Sequence, residues 1–597
     1  MTLARRPLPR VLARRVLRAV MLPLGALLIA AATHAAAPRG LIVELKDAPE
    51  HAEPTRDATL QSAGHDAGAA QRQRLQRVIA DAGLAQLAAA QGAPEMRPHG
   101  RAAHVLDFGR ALSPAETDDL LARLRASPEV AWAEANDRES LLQSTTPSDP
   151  FFPGTSGQWW LQPVGGTDAN AIAARMRGVP GFQRAWTLTR GSPFVPVAVL
   201  DTGITAHPEL QGVWLPGMDL VSDAAIANDG GGRDSDANDP GDWVSDSDRA
   251  QDLFADCEAH DSSWHGTIVS GILAAHTDNN EGVAAIGWST RIVPVRVAGK
   301  CGAEAADIID GMRWAAGLLV SNGRGWLPRN THPVRIINLS FGSARPCNRA
   351  YQSAIDELRA RGVVVVVAAG NTQGAVTRPA NCRGVVAVAA LNRDGFKAHY
   401  SSFGPEVTLA TVGGDDVGGP GGELLTDGGL LTLFNAGIAG PGDAIYARSF
   451  GTSFATPIVA GTAALMLSLN PALTAEQLVT GLTVTARPHV RSPWLVSCSA
   501  EHSARCLCTL GTCGAGVLDA EQALFYARDP ASYVAPARAG ETLDNPELAA
   551  AASATTEASP SPLSPAEAEP GAGALGPLWL GLLALAIGLL TAAPRRA

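Results

Sequence analysis

The sequence predicts an α/β protein whose main domain is a parallel β-sheet with helices on both faces. Nearly continuous apolar runs at Val195 to Leu200, Ile336 to Leu339 and Val363 to Ala368 are typical of strands buried on both sides. Helical patterns separate these runs, and strands that alternate with helices favour parallel pairing. The chain has 597 residues, 46% of them hydrophobic, which is enough for a large core and about three or four domains.

The first 37 residues predict an export signal. They contain six arginines, an apolar run from Val20 to Ala32 and small residues up to Ala37 that suit cleavage. Arginine pairs leave a twin-arginine route open, but we favour the general secretory route. Eight cysteines form an even set in an exported chain, and no paired CxxC motif occurs, so the sequence predicts disulfides rather than a metal centre.

Residues 38–142 predict a small α/β unit that precedes the main domain. One helix carries an apolar face, and a second begins after Ser113, which combines an N-cap with a first-turn proline at Pro114 and a capping-box glutamate at Glu116. The apolar face consists of Leu75, Val78, Ile79 and Leu84. Three strands are legible, at Leu41 to Leu45, His104 to Phe108 and Val130 to Glu134.

Polar or glycine-rich residues follow each predicted strand of the main domain. Asp201 ends the first strand, Ser340-Phe341-Gly342 follows the second, and Ala368-Ala369-Gly370-Asn371 ends the third. In open parallel sheets, ligands bind beyond the carboxyl ends of the strands. One crevice is therefore expected to collect these residues as an active site.

Three residues have the chemistry of a nucleophile, its base and the group that orients the base. Ser453 lies between a glycine-threonine turn and an apolar helical run, His265 opens an amphipathic helix, and Asp201 ends a buried strand. A serine hydroxyl needs a base within hydrogen-bond reach, and the base needs a fixed tautomer. Each residue also suits a turn or cap, but their joint occurrence favours catalysis.

The segments around these residues resemble the motifs of subtilisin-type serine peptidases. They read Val-Ala-Val-Leu-Asp201-Thr-Gly-Ile, His265-Gly-Thr-Ile-Val-Ser-Gly and Gly-Thr-Ser453-Phe-Ala-Thr-Pro, in the order Asp, His, Ser. The resemblance implies a secreted serine endopeptidase that hydrolyses polypeptides through an acyl-enzyme on Ser453. It also implies that Asn371 and the Ser453 backbone N–H stabilise the oxyanion. Ile268, Phe454 and Ile458 stand where the family commonly has a histidine, a methionine and a histidine, and none of the three belongs to the Asp-His-Ser set.

The resemblance further implies the walls of a primary specificity pocket. Ser340, Phe341 and Gly342 would form one wall, where the substrate backbone pairs as an added strand, and Ala368, Ala369 and Gly370 would form the other. Thr377-Arg378-Pro379 is expected near the base of the pocket, where the arginine would favour acidic or exclude basic side chains.

The resemblance also divides the chain into segments. Residues 38–142 would be an inhibitory propeptide of ferredoxin-like βαββαβ fold that chaperones the enzyme, and self-processing would cut between Asn136 and Pro150. The alternative is an N-terminal domain that stays attached. Residues 143–530 would form the catalytic domain, which is expected to be a monomer.

The C-terminal residues have a different composition. Residues 531–573 are rich in Ala, Pro, Ser, Glu and Thr, which predicts a disordered linker. Residues 574–597 include nineteen uncharged residues, Leu575 to Ala593, followed by Arg595-Arg596, so they are long enough to cross a membrane. They resemble a bacterial sorting tail, and a permanent anchor is the alternative.

Most of the net charge of −11 comes from one loop. Residues 229–261 contain ten Asp and one Glu against two Arg, a net of −9. Without a basic stripe, nucleic acid is not an expected partner.

The sequence predicts a calcium site in this loop, with a solvated acidic loop as the alternative. Its ligands would be Asp234, Asp236, Asp239 and Asp242. A second calcium loop is suggested by resemblance at Asn279 to Val283, with Glu209 as a distant partner.

The resemblance pairs Cys257 with Cys301 and Cys347 with Cys382. The connectivity of Cys498, Cys506, Cys508 and Cys513 stays open among three possibilities.

Two rival functions belong to other classes. An esterase of the α/β-hydrolase type would need a Gly-x-Ser-x-Gly elbow with the serine before the histidine, which the residue order opposes. A catalytically silent surface or binding protein on the same fold would have lost a triad or oxyanion residue, and all four are present.

Overall fold

The computed structural model describes residues 40–46, 72–83, 94–99, 103–110, 112–136, 146–154, 156–165 and 176–543. These residues belong to two compact units, divided between residues 143 and 144. The export segment, Leu84 and the hydrophobic segment at residues 574–597 lie outside the described residues.

The first unit is a four-stranded antiparallel sheet with two helices. Its strands are β1 (Gly40–Leu45), β2 (Glu95–His99), β3 (Ala103–Asp107) and β4 (Val130–Ala135). The helices cover residues 72–81 and Pro114–Arg125, so the order along the chain is βαββαβ. The strand order across the sheet is β2-β3-β1-β4.

Strand β2 could not be found from the sequence, and its position explains why. It lies at the edge of the sheet and reads Glu-Met-Arg-Pro-His, with a proline and without an apolar alternation. Edge strands tolerate proline and charge because one side has no partner strand. The helix start at Ser113 is as expected, because Ser113 Oγ accepts from the backbone N–H of Glu116 and the Glu116 carboxylate accepts from that of Ser113.

The second unit is built on a seven-stranded sheet whose neighbours all pair in parallel. The strands of this unit are β5 (Val197–Asp201), β6 (Met218–Asp219), β7 (Ile292–Arg296), β8 (Ala298–Gly299), β9 (Gly302–Ala303), β10 (Ile336–Leu339), β11 (Val364–Ala368), β12 (Val386–Leu391), β13 (Leu409–Val412), β14 (Leu430–Asn435) and β15 (Ala444–Ser449). The main sheet has the order β13-β12-β11-β10-β5-β7-β6. Strand β5 has β7 on one side and β10 on the other, and after β7 the chain crosses to β10. The carboxyl end of β5 is therefore the topological switch point where ligands bind.

Helices cover both faces of this sheet. The α-helices are Phe182–Ala185, Ala224–Ala227, Asp246–Arg249, His265–Ala274, Ala305–Ala315, Arg349–Ala360, Gly422–Leu425, Thr452–Leu469, Ala475–Val484 and Ala520–Arg528, and 3-10 turns lie at Trp159–Leu161, Pro208–Leu210 and Asp252–Phe254. Alternate residues of each strand join different cores. Val197 and Val199 pack with the His265 and Ser453 helices, whereas Ala198 and Leu200 pack with the 305–315 and 349–360 helices.

The glycine-rich segment at residues 412–429 is packed into the second unit, because Leu425 and Asp415 in it are buried and the Asp415 carboxylate accepts from Arg505 Nε at 2.8 Å. A neighbouring expectation, on the linker, is wrong at its start. The linker does not begin at residue 531. Residues up to 543 return to the second unit, where Leu543 N donates to the carbonyl of Arg491 and Arg538 pairs with Asp519 at 2.7 Å.

Four disulfides account for all eight cysteines. Cys257–Cys301 and Cys347–Cys382 pair as the resemblance implied. The four C-terminal cysteines pair in sequence order, Cys498 with Cys506 and Cys508 with Cys513. The first pair closes the acidic loop onto the segment that follows β7.

Candidate active site

The acid and the base predicted from the sequence are in contact. Asp201, at the end of β5, is fully buried, and its Oδ1 lies 2.8 Å from Nδ1 of His265. Because an ionised carboxylate can only accept, Nδ1 carries the proton and Nε2 is left with a free lone pair. The same Oδ1 accepts from the backbone N–H of Thr202, so the carboxylate is held in place.

The surroundings of His265 favour its protonated form. Burial by itself would lower the pKa of the imidazole, but the charge and hydrogen bond of Asp201 oppose this. The carboxylates of Asp242 and Asp239 add to the effect, and the net result is a raised pKa. The rings of Phe341 and Phe454 lie at centroid distances of 5.7 and 5.5 Å from the imidazole and shield it from solvent.

Ser453 lies in the first turn of the buried helix Thr452–Leu469, on the same face of the sheet as the His265 helix. Its hydroxyl donates to the carbonyl of Ser340 at 3.2 Å. Among the described residues, no hydrogen bond joins this hydroxyl to His265, although Phe454, the next residue, contacts the imidazole. Free enzymes often hold the nucleophile in such a resting rotamer.

Asn371 lies beside the nucleophile. Its Oδ1 accepts from the backbone N–H of Thr452 at 3.0 Å and from the Thr452 hydroxyl at 2.8 Å. With its oxygen engaged in this way, the Nδ2 group is left to donate elsewhere. Donors at the start of the nucleophile helix suit a developing oxyanion.

The two predicted walls of the specificity pocket meet at Thr377. Cβ atoms added at Gly342 and Gly370 would lie 2.3 and 2.5 Å from Thr377 side-chain atoms, so both glycines are required for the close approach. The Thr377 hydroxyl donates to the carbonyl of Ala369 at 3.1 Å. Arg378 instead lies over the ring of Tyr351, at 5.4 Å from its centroid.

The remaining wall residues adjoin this arrangement. Ser340 Oγ donates to the carbonyl of Ser453 at 2.9 Å, which ties the end of β10 to the nucleophile helix. Phe341 contacts His265, and Ala368 is the last residue of the neighbouring strand β11.

Comparison with known proteins agrees with this geometry. The subtilase family matches residues 194–511, which is more than half of the chain. The chain belongs to the subtilase family. The matched region contains Asp201, His265, Asn371 and Ser453, in the order expected from the sequence.

Two relatives of this subtilase are proteins named as extracellular proteases. An extracellular protease of Xanthomonas campestris pv. campestris is 40% identical over 422 residues, which cover 70% of this chain and 63% of the relative. An extracellular basic protease of Dichelobacter nodosus is 33% identical over 403 residues, which cover 67% of this chain and 59% of the relative. The chain therefore spans less than two thirds of the length of either relative.

A solved structure supports the fold of the subtilase. A protease from Pseudoalteromonas arctica is 39% identical, with a TM-score of 0.53, and the match covers 64% of this chain and 99% of that one.

Within the described residues, one helix is long and apolar enough to cross a membrane, Thr452–Leu469, but 83% of it is buried in the protein. It is the core helix that carries Ser453.

In the acidic loop of this subtilase, protein groups donate hydrogen bonds to the four carboxylates that were predicted to bind calcium. Asp239 accepts from the Thr202 hydroxyl at 2.6 Å and from the backbone N–H of Gly241, and Asp242 accepts from the backbone and hydroxyl of Ser263 at 2.6 and 2.7 Å.

Asp234 and Asp236 accept from backbone groups two residues further along the loop. Among the described residues, the oxygen atoms of these four carboxylates do not converge on a common point. Hydrogen bonds from protein donors hold these carboxylates within the loop.

Subtilases commonly bind structural calcium, and a different group of residues fits that ion. Glu209 and Asp149 are buried, and one carboxylate oxygen of each, Oε2 and Oδ1, has no hydrogen-bond partner among the described residues. Asn279 Nδ2 donates to the other Glu209 oxygen at 3.3 Å, and the backbone N–H of Asp278 donates to Asp149 at 2.8 Å. Unpaired buried carboxylate oxygens are costly unless a cation neutralises them.

Burial raises the pKa of Glu209 to about 7, and the negative charges of Asp149 and Glu281 add to this effect. Burial also raises the pKa of Asp149. The sequence identified Glu209 and Asn279 through resemblance but missed Asp149. Its only sequence signal is its acidic side chain, and an acidic residue near the end of the predicted processing region, Asn136 to Pro150, is too common a feature to distinguish it.

Two further clusters do not suit a metal. Cys498, Cys508 and Cys513 converge, but all three form disulfides. His399, Asp415 and Asp416 also converge, but Arg505 occupies one side of Asp415, so the acidic charge is already paired.

Proposed function

We propose that this subtilase is a secreted serine endopeptidase that hydrolyses peptide bonds in polypeptides. The observation that supports it most directly is the buried Asp201 carboxylate 2.8 Å from His265 Nδ1, at the carboxyl end of the sheet where Ser453 also lies. Asp201 is expected to hold the tautomer that leaves Nε2 as the base.

The reaction begins when the Ser453 hydroxyl turns from the Ser340 carbonyl toward His265. As Ser453 Oγ bonds to the substrate carbonyl carbon, its proton passes to His265 Nε2, and the carbonyl oxygen becomes negative. Asn371 Nδ2 and the backbone N–H of Ser453 donate to that oxygen. The imidazolium then protonates the leaving amine, and water repeats the sequence to release the acyl group.

Labelling with a serine-directed inhibitor tests this function. The parent protein should be labelled at Ser453, and the Ser453→Ala variant should neither be labelled nor cleave a denatured protein. Thr452→Ser serves as a matched substitution in the same turn that keeps the nucleophile. A parent protein that resists labelling and leaves polypeptides intact would support the catalytically silent surface protein instead.

The N-terminal unit is proposed to be an inhibitory propeptide that chaperones the catalytic unit. Its βαββαβ order and its own hydrophobic core support this role. A Ser453→Ala precursor made alone should remain uncut between Asn136 and Pro150, whereas the parent should lose the N-terminal unit. Normal processing of the variant would show that another peptidase performs the cleavage.

Calcium is proposed to bind at Asp149, Glu209 and Asn279, where it would neutralise the unpaired oxygens and hold the N-terminal part of the catalytic unit. The oxygen-rich set of donors suits a hard cation.

Residues 1–37 are proposed to direct export, and the names of the two relatives support an extracellular location. Residues 574–597 are proposed to meet a sorting machinery or the membrane.

A further inference from the structure

Trp264, the residue immediately before the proposed base, has an unusual backbone. Its φ of 51° places it in the left-handed region, which bulky residues rarely adopt. It is the N-cap of the His265–Ala274 helix, makes no side-chain cap hydrogen bond, and its indole is fully buried. Such a conformation persists only where the surrounding contacts determine it.

Those contacts come from the turn at residues 436–443, which joins β14 to β15. Trp264 Nε1 donates to the carbonyl of Gly437 at 2.7 Å. Ser262, two residues earlier, donates through its backbone N–H to the carbonyl of Ile438 at 2.9 Å and through its hydroxyl to that of Ala439. Three hydrogen bonds therefore fix the segment that leads into His265.

The turn has its own internal support. Asn435 is 2% exposed, and its Oδ1 accepts from the backbone N–H groups of Gly437 and Gly442 at 2.9 and 2.7 Å. Its Nδ2 donates to the Gly442 carbonyl at 3.1 Å. A single buried amide thus closes the turn and sets the position of the carbonyl that receives Trp264.

The same hairpin leads to the nucleophile. Strand β15 ends at Ser449, four residues before Ser453, and the backbone N–H of Gly451 donates to the carbonyl of Gly413. The hairpin therefore connects the start of the nucleophile helix to the start of the His265 helix through backbone and side-chain hydrogen bonds.

We propose that Trp264 and the Asn435-centred turn form a brace that holds the imidazole of His265 against Asp201. Trp264 and Asn435 are then positioning residues, and the inference rests on the proposed function for its consequence in catalysis. The physical reason is that the backbone conformation of Trp264 sets the position of the first residue of the helix. If Trp264 relaxes to a right-handed or extended backbone, the first helical residue moves, and that residue is His265.

A Trp264→Phe variant tests the brace because it keeps an aromatic ring and removes the indole donor, with a loss of side-chain volume that a second Trp→Phe variant can match. The matched control is Trp186→Phe, since Trp186 is also buried and its Nε1 donates to the carbonyl of Ile286 at 2.9 Å. Both variants lose one buried tryptophan hydrogen bond, so both should lower the melting temperature to a similar extent. Only Trp264→Phe should lower kcat, by about tenfold, with KM within about twofold.

A second readout does not depend on activity. In the full-length Ser453→Ala protein, the Nδ1–H proton of His265 should give a low-field NMR signal because Asp201 accepts from it. Trp264→Phe and Asn435→Ala should weaken or shift this signal, and Trp186→Phe should leave it unchanged. Asn435→Ala carries the same test if Trp264→Phe does not fold.

The outcomes separate the brace from the proposed function. The brace is refuted if the His265 signal in Trp264→Phe and Asn435→Ala equals that of Trp186→Phe. If the Ser453→Ala protein retains full peptidase activity, the proposed function fails, while the NMR comparison still decides whether the brace exists.

Discussion

Calcium removal should destabilise this protein in a way that depends on pH, and Glu209 sets the size of the effect. The carboxyl is fully buried, and burial raises its pKa from 4.5 to about 7. In the calcium-free protein the folded state therefore binds a proton more tightly than the unfolded chain. Stability from this group is full below pH 4.5 and is lost as the pH rises toward 7 and above.

The magnitude follows from the shift. A pKa that rises from 4.5 to about 7 corresponds to a cost of about 3 kcal/mol for holding the ionised carboxylate at pH 8. The raised pKa of Asp149 adds to this cost in the same direction. Bound calcium supplies the missing positive charge and offsets the cost, so the calcium-loaded protein should keep its stability across this range.

Calorimetry on the Ser453→Ala protein avoids self-digestion and gives the measurement. In a chelator, the melting temperature should fall by several degrees between pH 5 and pH 8, whereas in calcium it should stay nearly level. Glu209→Gln removes the ionisation and should flatten the fall in chelator. Glu258→Gln, which substitutes an exposed glutamate outside this site, is the matched control and should behave as the parent.

Two results would refute this reasoning. One is a melting temperature in chelator that does not change between pH 5 and pH 8. The other is a Glu209→Gln protein that responds to calcium and pH as the parent does, since the buried charge would then lie elsewhere.

Two further predictions concern the active site itself. Asp242→Asn removes a charge that raises the pKa of His265, so the acidic limb of kcat/KM should move to lower pH. Asp246→Asn, whose side chain is 91% exposed, should leave the limb in place. An unmoved limb in both variants would contradict the role of Asp242. Gly342→Ala places a Cβ 2.3 Å from Thr377 Oγ1 and should cost about 1 to 3 kcal/mol of unfolding free energy, measured by denaturant titration. Combination with Thr377→Ala should recover most of that loss, and an additive double variant would show that the two residues are not in contact.

Those parts of the protein that depend on local pattern could be predicted from the sequence. The buried strands β5, β10 and β11 appear as continuous apolar runs because both faces of a parallel sheet are covered. The capping box at Ser113 is legible because a helix start needs short-range donors and acceptors. The motif residues Asp201, His265 and Ser453 carry a family resemblance, and the family match confirms it.

How residues distant in the chain compensate one another depends on the tertiary structure. The aspartates of the acidic loop looked like calcium ligands by composition, and the fold brings donors from Thr202 and Ser263 to two of them. It also brings together Asp149 and Glu209, which are 60 positions apart and each have one buried carboxylate oxygen without a hydrogen-bond partner among the described residues. Composition reports charge, whereas burial and the direction of each donor decide whether that charge needs an ion, and those are properties of the folded chain.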